Sequence, residues 1–250
     1  MLLENKTAIV YGAAGSIGSA VARAYAREGA QVHLAGRTSA RLESVADMIR
    51  GAGGVAHTAP LDVLDKRAVE RHASSVVDTS GGIDVCFNAT ANDDIQGKTL
   101  LDLPFEQFMQ PVTKALSAHH AIATAVAPHM ARRGRGAILV MAGGREALPR
   151  LGGAHVAWAA LAGLCRQLAA DLGTHGIRVA WLLSPGSPAF AHDRPHADST
   201  HEPPSGTTGL IPHHQPSLQE VADVATFLAS DAARTITAAE INLTGGAVID

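Results

Sequence analysis

Gly12-Ala13-Ala14-Gly15-Ser16-Ile17-Gly18 is the stretch whose residue types and spacing point first to chemistry. It follows the apolar run Thr7-Ala8-Ile9-Val10-Tyr11 and precedes alanines and Val21 at helical spacing. Glycines at such a junction permit a tight turn. They also let backbone N–H groups reach a pyrophosphate at a helix N-terminus. A strand–helix junction is the context that this mechanism requires. A glycine turn without a ligand is the plain alternative. The second apolar run ends at Gly36-Arg37-Thr38. A dinucleotide site normally places an acid there to hold the ribose 2′-hydroxyl. Arg37 suits a 2′-phosphate instead, through its guanidinium fork. NADP is therefore expected, with NAD possible. A solvated surface arginine is the competing reading.

Other groups could do chemistry. Gly143-Gly144-Arg145-Glu146 follows an apolar run, and Arg145 could bind an anion or polarise a carbonyl. An Arg145–Glu146 surface pair is the alternative. Asp93 and Asp94 could share acid/base work, although adjacent loop residues usually point apart. The stretch 184–216 holds many prolines and five histidines, His192, His196, His201, His213 and His214. Their spacing fits no metal-ligand pattern, so no metal is expected and a mobile substrate-side loop is. Cys86 and Cys165 are the only cysteines, too few for a disulfide scaffold, which points to a reduced, cytoplasmic setting.

These groups need elements to position them. Strands are expected at 7–11, 31–35, 55–61, 83–87, 137–141, 178–183 and 240–243. Helices are expected at 17–27, 39–50, 66–79, 105–133, 154–175 and 217–229, with a possible break in the fourth near Pro111. The alternation implies an α/β fold, a Rossmann-type doubly wound parallel sheet flanked by helices, in one domain over 1–250. The net charge of −3 offers no phosphate-backbone footprint, so nucleic acid is not expected. No apolar run approaches the ~20 residues of a membrane span, and no signal peptide is expected.

Several segments together resemble the short-chain dehydrogenase/reductase family over nearly the full length. Tyr11-Gly12-Ala13-Ala14-Gly15-Ser16-Ile17-Gly18 resembles its TGxxxGIG loop, with Tyr for Thr and Ser16 for the middle glycine. Leu61-Asp62-Val63 resembles its Asp-Val pair beside the adenine. Ile83-Asp84-Val85-Cys86-Phe87-Asn88-Ala89 resembles its segment ending in Asn-Ala-Gly. Gly176-Ile177-Arg178-Val179 and Ser184-Pro185-Gly186 resemble its sixth strand and following turn. The resemblance implies cofactor contacts from Gly12, Gly15, Ser16, Ile17, Gly18, Arg37, Asp62, Val63 and Asn88. It also implies a homodimer or homotetramer.

The family's usual chemistry uses Tyr as acid/base, Lys four residues later, Ser after the fifth strand and Asn in the long helix. The alignment puts Ala154, Trp158, Gly143 and Ala115 at those positions. No shift of register restores the first three. Tyrosine occurs only at Tyr11 and Tyr25, no lysine follows Lys114, and no serine lies between Ser117 and Ser184. Losing general acid/base help costs on the order of 10²–10⁴ in rate. His155, beside the Tyr position, is a substitute acid by type, but its azimuth on the helix differs by about 100°. His119 shares a helix face with Ala115. Trp158 could fill the nicotinamide-ribose site or stack on a planar ligand. Three functions follow: an NADP(H)-binding oxidoreductase with atypical or lost machinery acting on an unidentified small molecule, a non-redox enzyme (cyclase, dehydratase or isomerase), or a non-catalytic binding or scaffold subunit.

Overall fold

A computed structural model of the chain describes residues 1–145, 147–183 and 216–246. The strands are β1 (Thr7–Tyr11), β2 (Gln31–Gly36), β3 (Val55–Pro60), β4 (Val85–Asn88), β5 (Gly136–Ala142), β6 (Ile177–Leu183) and β7 (Ala239–Asn242). The helices are α1 (Ser16–Arg27), α2 (Ser39–Gly51), α3 (Lys66–Ser80), α4 (Phe105–Arg133), α5 (Ala154–Gly173) and α6 (Leu218–Ala229). All strands pair in parallel, in the order β3-β2-β1-β4-β5-β6-β7. The chain thus forms a single α/β domain with a doubly wound sheet, as the alternation of elements requires.

Alternation along each strand divides the core in two. Ala8 and Val10 join Val32, Leu34, Phe87 and Leu139 on one face, under residues of α1, α2 and α6. Ile9 and Tyr11 join Cys86, Ile138, Val140 and Trp181 on the other, under α3, α4 and α5. Every residue of β1 is buried, which is why its sequence reads as a continuous apolar run.

The expected break near Pro111 does not occur: α4 runs unbroken through Pro111 and Pro128. Proline lacks the N–H that would bond one turn back, which normally costs about 3 kcal/mol inside a helix. Tertiary packing overrides this. Val112 and Ala115 bury against Ala157 and Leu161 of α5. Gly153 lets the two helices close in: a Cβ there would lie 2.0 Å from the Phe108 carbonyl oxygen and 2.9 Å from the Pro111 ring. The remaining element boundaries agree with expectation to within about two residues. The segment expected to form the mobile loop, 184–216, lies outside the described residues except for Pro216.

Candidate functional site

The strand order reverses between β1 and β4, and a parallel sheet opens a crevice at that point beyond the strands' carboxyl ends. The glycine loop sits there. Gly12 has φ +77°, and a Cβ on it would lie 2.5 Å from the Ala89 carbonyl oxygen, beyond the end of β4. A Cβ on Gly18 would lie 2.3 Å from the Gly12 carbonyl oxygen, so α1 packs directly onto the turn. The amides of Gly12 and Ala13 donate to the Ala35 carbonyl at 2.9 and 3.2 Å, which ties the loop to β2. Gly15 caps α1 and has no side chain to accept from the helix's first-turn amides at Ser16, Ile17 and Gly18. A helix start left uncapped in this way is suited to an anion.

A cavity of about 220 Å³ lies between this turn and α2. Gly15, Ser16 and Ser19 line one side, and Arg41 and Ser44 the other. Arg37 is exposed immediately past β2 and makes no ion pair with any described residue. Arg41 was not anticipated. Its signal was its position four residues after Arg37, one helical turn along. Asp62 is exposed past β3, where its Oδ1 accepts from the Leu64 amide at 3.0 Å, and Val63 beside it is buried. Asn88 ends β4, fully buried. Its Oδ1 accepts from the Thr90 amide and hydroxyl at 3.0 and 2.8 Å. Its Nδ2 is buried without a protein partner, a donor left for a ligand. The glycine cradle, the uncapped helix start and this orphaned donor fit a dinucleotide.

The acid/base candidates do not converge in the same way. His119 is 3% exposed, and its Nδ1 bonds the Ala115 carbonyl at 2.8 Å. The carbonyl only accepts, so Nδ1 carries the proton and Nε2 is the bare, unpartnered nitrogen. Burial pulls its pKa down to about 4, so the ring is neutral at pH 7. His155 stands in the first turn of α5, half-buried, with its Nδ1 buried and unpartnered. Arg145 reaches to β7, where its guanidinium pairs with Glu240 Oε1 at 2.8 Å. Glu240 Oε2 accepts from the Trp181 indole N–H at 2.6 Å. Asp93 pairs with Lys114 of α4.

Both tyrosines belong to the core. Tyr11 bonds His72 Nδ1 at 3.2 Å, and the Tyr25 hydroxyl donates to the Ala225 carbonyl at 3.3 Å. Burial raises both phenols well above their ordinary range. At the end of β5, Trp158 covers Gly143: a Cβ on Gly143 would lie 2.0 Å from the indole Cε2. Ala154, one turn earlier on α5, is fully buried. Cys86 and Cys165 are buried free thiols, raised by desolvation. Among the described residues, no cluster of His, Cys, Asp and Glu could hold a metal ion, and no helix is long and apolar enough to cross a membrane.

Comparison with known proteins gives this architecture its relatives. The family described as Enoyl-(Acyl carrier protein) reductase matches residues 12–248. An uncharacterized oxidoreductase of Bacillus subtilis, YxbG, is 32% identical, covering 98% of this chain and 91% of its own. The L-rhamnose 1-dehydrogenase (NAD(P)(+)) of Azotobacter vinelandii is 30% identical, covering 100% and 99%. The crystal structure of a short-chain dehydrogenase/reductase from Burkholderia xenovorans superposes with a TM-score of 0.86, at 26% identity and covering 99% of each chain.

Proposed function

The chain belongs to the short-chain dehydrogenase/reductase family, and from that premise we propose that it is an oxidoreductase that binds NADP(H) and works with atypical catalytic machinery. The observation that carries this reading is the glycine cradle, in which Cβ atoms at Gly12 and Gly18 would run into backbone oxygens. Such close approach leaves room for a pyrophosphate at the start of α1. The 2′-phosphate falls to Arg37, with Arg41 one turn along α2. Asp62 and Val63 would flank the adenine, and Asn88 Nδ2 would donate toward the ribose side.

When bound, the cofactor supplies hydride to a carbonyl carbon or takes it from an alcohol. The chain must then move one proton at the oxygen. His119 has its only proton committed to the Ala115 carbonyl, so His155 is the histidine better placed for that task. Arg145 would steady a polar substrate only by leaving Glu240. The dehydrogenase activities in the relatives' names favour redox chemistry over a cyclase, dehydratase, isomerase or scaffold role. We place the protein in the cytoplasm, where its two buried thiols stay reduced. Its partners in this reading are a small carbonyl or alcohol substrate and further copies of itself.

The test is calorimetric titration of the chain and of Arg37→Ala with NADPH and NADH. Tight NADPH binding is expected, and the substitution should weaken NADPH by about tenfold or more while leaving NADH nearly unchanged, as loss of a charge-assisted bond implies. Equal weakening of both would remove the 2′-phosphate assignment. Failure of either to bind at millimolar concentration would remove the dinucleotide reading itself.

A further inference from the structure

Trp158 is seated in an unusual way. The three indole atoms nearest a Cβ on Gly143 are Cε2, Cδ2 and Cζ2, at 2.0, 2.3 and 2.5 Å. Cε2 and Cδ2 form the ring-fusion bond. An edge-on indole would present its outer atoms first, so the ring lies with one face on the Gly143 backbone. Only glycine at 143 permits this. The adjoining Gly144 has nothing within 4 Å of its Cβ position, so that space is open. Trp158 is half-buried, and its Nε1 makes no hydrogen bond with any described residue. The second face of the indole is therefore available at the carboxyl end of β5. A dinucleotide held by the glycine loop crosses the switch point between β1 and β4, so its second half lies over β4 and β5.

We propose that Trp158, backed by Gly143, is a stacking platform for the nicotinamide ring and selects its oxidised form. This rests on the dinucleotide reading above. The oxidised ring is a planar pyridinium cation, whereas the reduced ring is neutral. An indole face attracts a cation through its quadrupole and stacks on a flat ring of either charge. A lysine at the same point of the helix would repel the pyridinium. With Trp at 158 the electrostatic preference has the opposite sign, toward the oxidised cofactor.

Three probes separate the contributions. NADP⁺ carries the cationic ring, NADPH the neutral ring, and 2′,5′-ADP carries the adenine and phosphates without nicotinamide. Affinities are measured for the chain, Trp158→Ala, Trp158→Phe and Gly143→Ala. Trp158→Ala is expected to weaken NADP⁺ about tenfold, NADPH less, and 2′,5′-ADP not at all. Phe should retain part of the preference. Gly143→Ala should reproduce the Ala result without removing the ring, because its Cβ must displace the indole. Emission supplies a second readout. The other tryptophan, Trp181, is buried between Arg166 and Glu240 and serves as an internal reference. NADP⁺ should quench the wild-type emission and leave that of Trp158→Phe unchanged.

If Trp158→Ala tightens NADP⁺, the indole is a plug and the proposal falls. If it weakens all three probes equally, or none, the proposal falls while binding of 2′,5′-ADP keeps the dinucleotide reading intact. If 2′,5′-ADP does not bind the unmodified chain, the dinucleotide reading is overturned and the platform with it.

Discussion

At the residue scale, the strongest electrostatic signature outside the cleft is a set of buried histidines. His33 on β2 is 5% exposed, bonds Ser80 Oγ at 2.8 Å and stacks on His57 of β3 with ring centroids 4.7 Å apart. His72 on α3 meets Tyr11 edge-on. Desolvation pulls His33, His72 and His119 down to about 4, with His57 adding to the effect at His33. Each ring is neutral in the fold at pH 7, but in the unfolded chain it takes up a proton near pH 6.5. Between pH 6.5 and 4 the unfolded state binds more protons, so stability must fall as pH falls. Each histidine contributes at most about 1.4 kcal/mol per pH unit within that window. Glu43 and Asp231 are held below the usual carboxylate range and titrate beneath it. Urea midpoints are expected to be level from pH 8 to 7 and to drop clearly at pH 6 and 5. A level profile down to pH 5 would show that these rings are not buried neutral in solution. The clustering could not be read from the sequence, because the residues come from separate elements. His33 meets His57 only through the register of β2 on β3.

At the element scale, α6 shows how local signals and tertiary contacts combine. Ser217-Leu218-Gln219-Glu220 is an S-x-x-E pattern, and the structure forms the complete capping box. The Ser217 amide donates to Glu220 Oε2 at 2.8 Å, and the Glu220 amide donates to Ser217 Oγ at 3.2 Å. The helix then buries Ala222, Ala225 and Leu228 in the cluster that holds Val21 and Tyr25 of α1, behind the glycine loop. Ser217→Ala should cost about 1 kcal/mol, seen as a Tm lower by roughly 2–4 °C, with cofactor affinity unchanged. An unaltered Tm would mean that packing alone sets this helix. Elements of this kind were legible because period and caps are local properties. The glycine loop was legible for the same reason, since its function follows from the junction it occupies. What could not be read were effects of distant packing. Pro111 passes through α4 because α5 presents Gly153 to it. Arg145 turns to Glu240 because β7 lies beyond β6, nearly a hundred residues along the chain. The indole of Trp158 finds its seat only once β5 and α5 are side by side.

At the scale of the whole molecule, the sheet's two buried faces leave one region with apolar surface unaccounted for. The segment between β4 and α4 exposes Leu100 and Leu101, the latter by 98%, and α4 opens on Phe105, exposed by 69%. The segment before α5 exposes Leu148, and the two segments are joined where the Gly97 amide donates to the Arg150 carbonyl at 2.9 Å. On α5 itself Val156, Ala159 and Gly163 are exposed at helical spacing. Such small residues let a second helix approach closely, and monomers seldom leave a connected apolar region of this kind in water. A second copy of the chain is the occupant that the symmetry of soluble assemblies makes simplest, because the same patch then serves both partners. Light scattering should therefore give two or four times the chain mass of 25.7 kDa. Replacing Val156 with Glu, at an exposed site away from the glycine loop, should lower that mass toward one chain while leaving 2′,5′-ADP affinity unchanged. A wild-type mass of 25.7 kDa at high micromolar concentration would show the patch to be open, and the search for its partner would pass to other proteins.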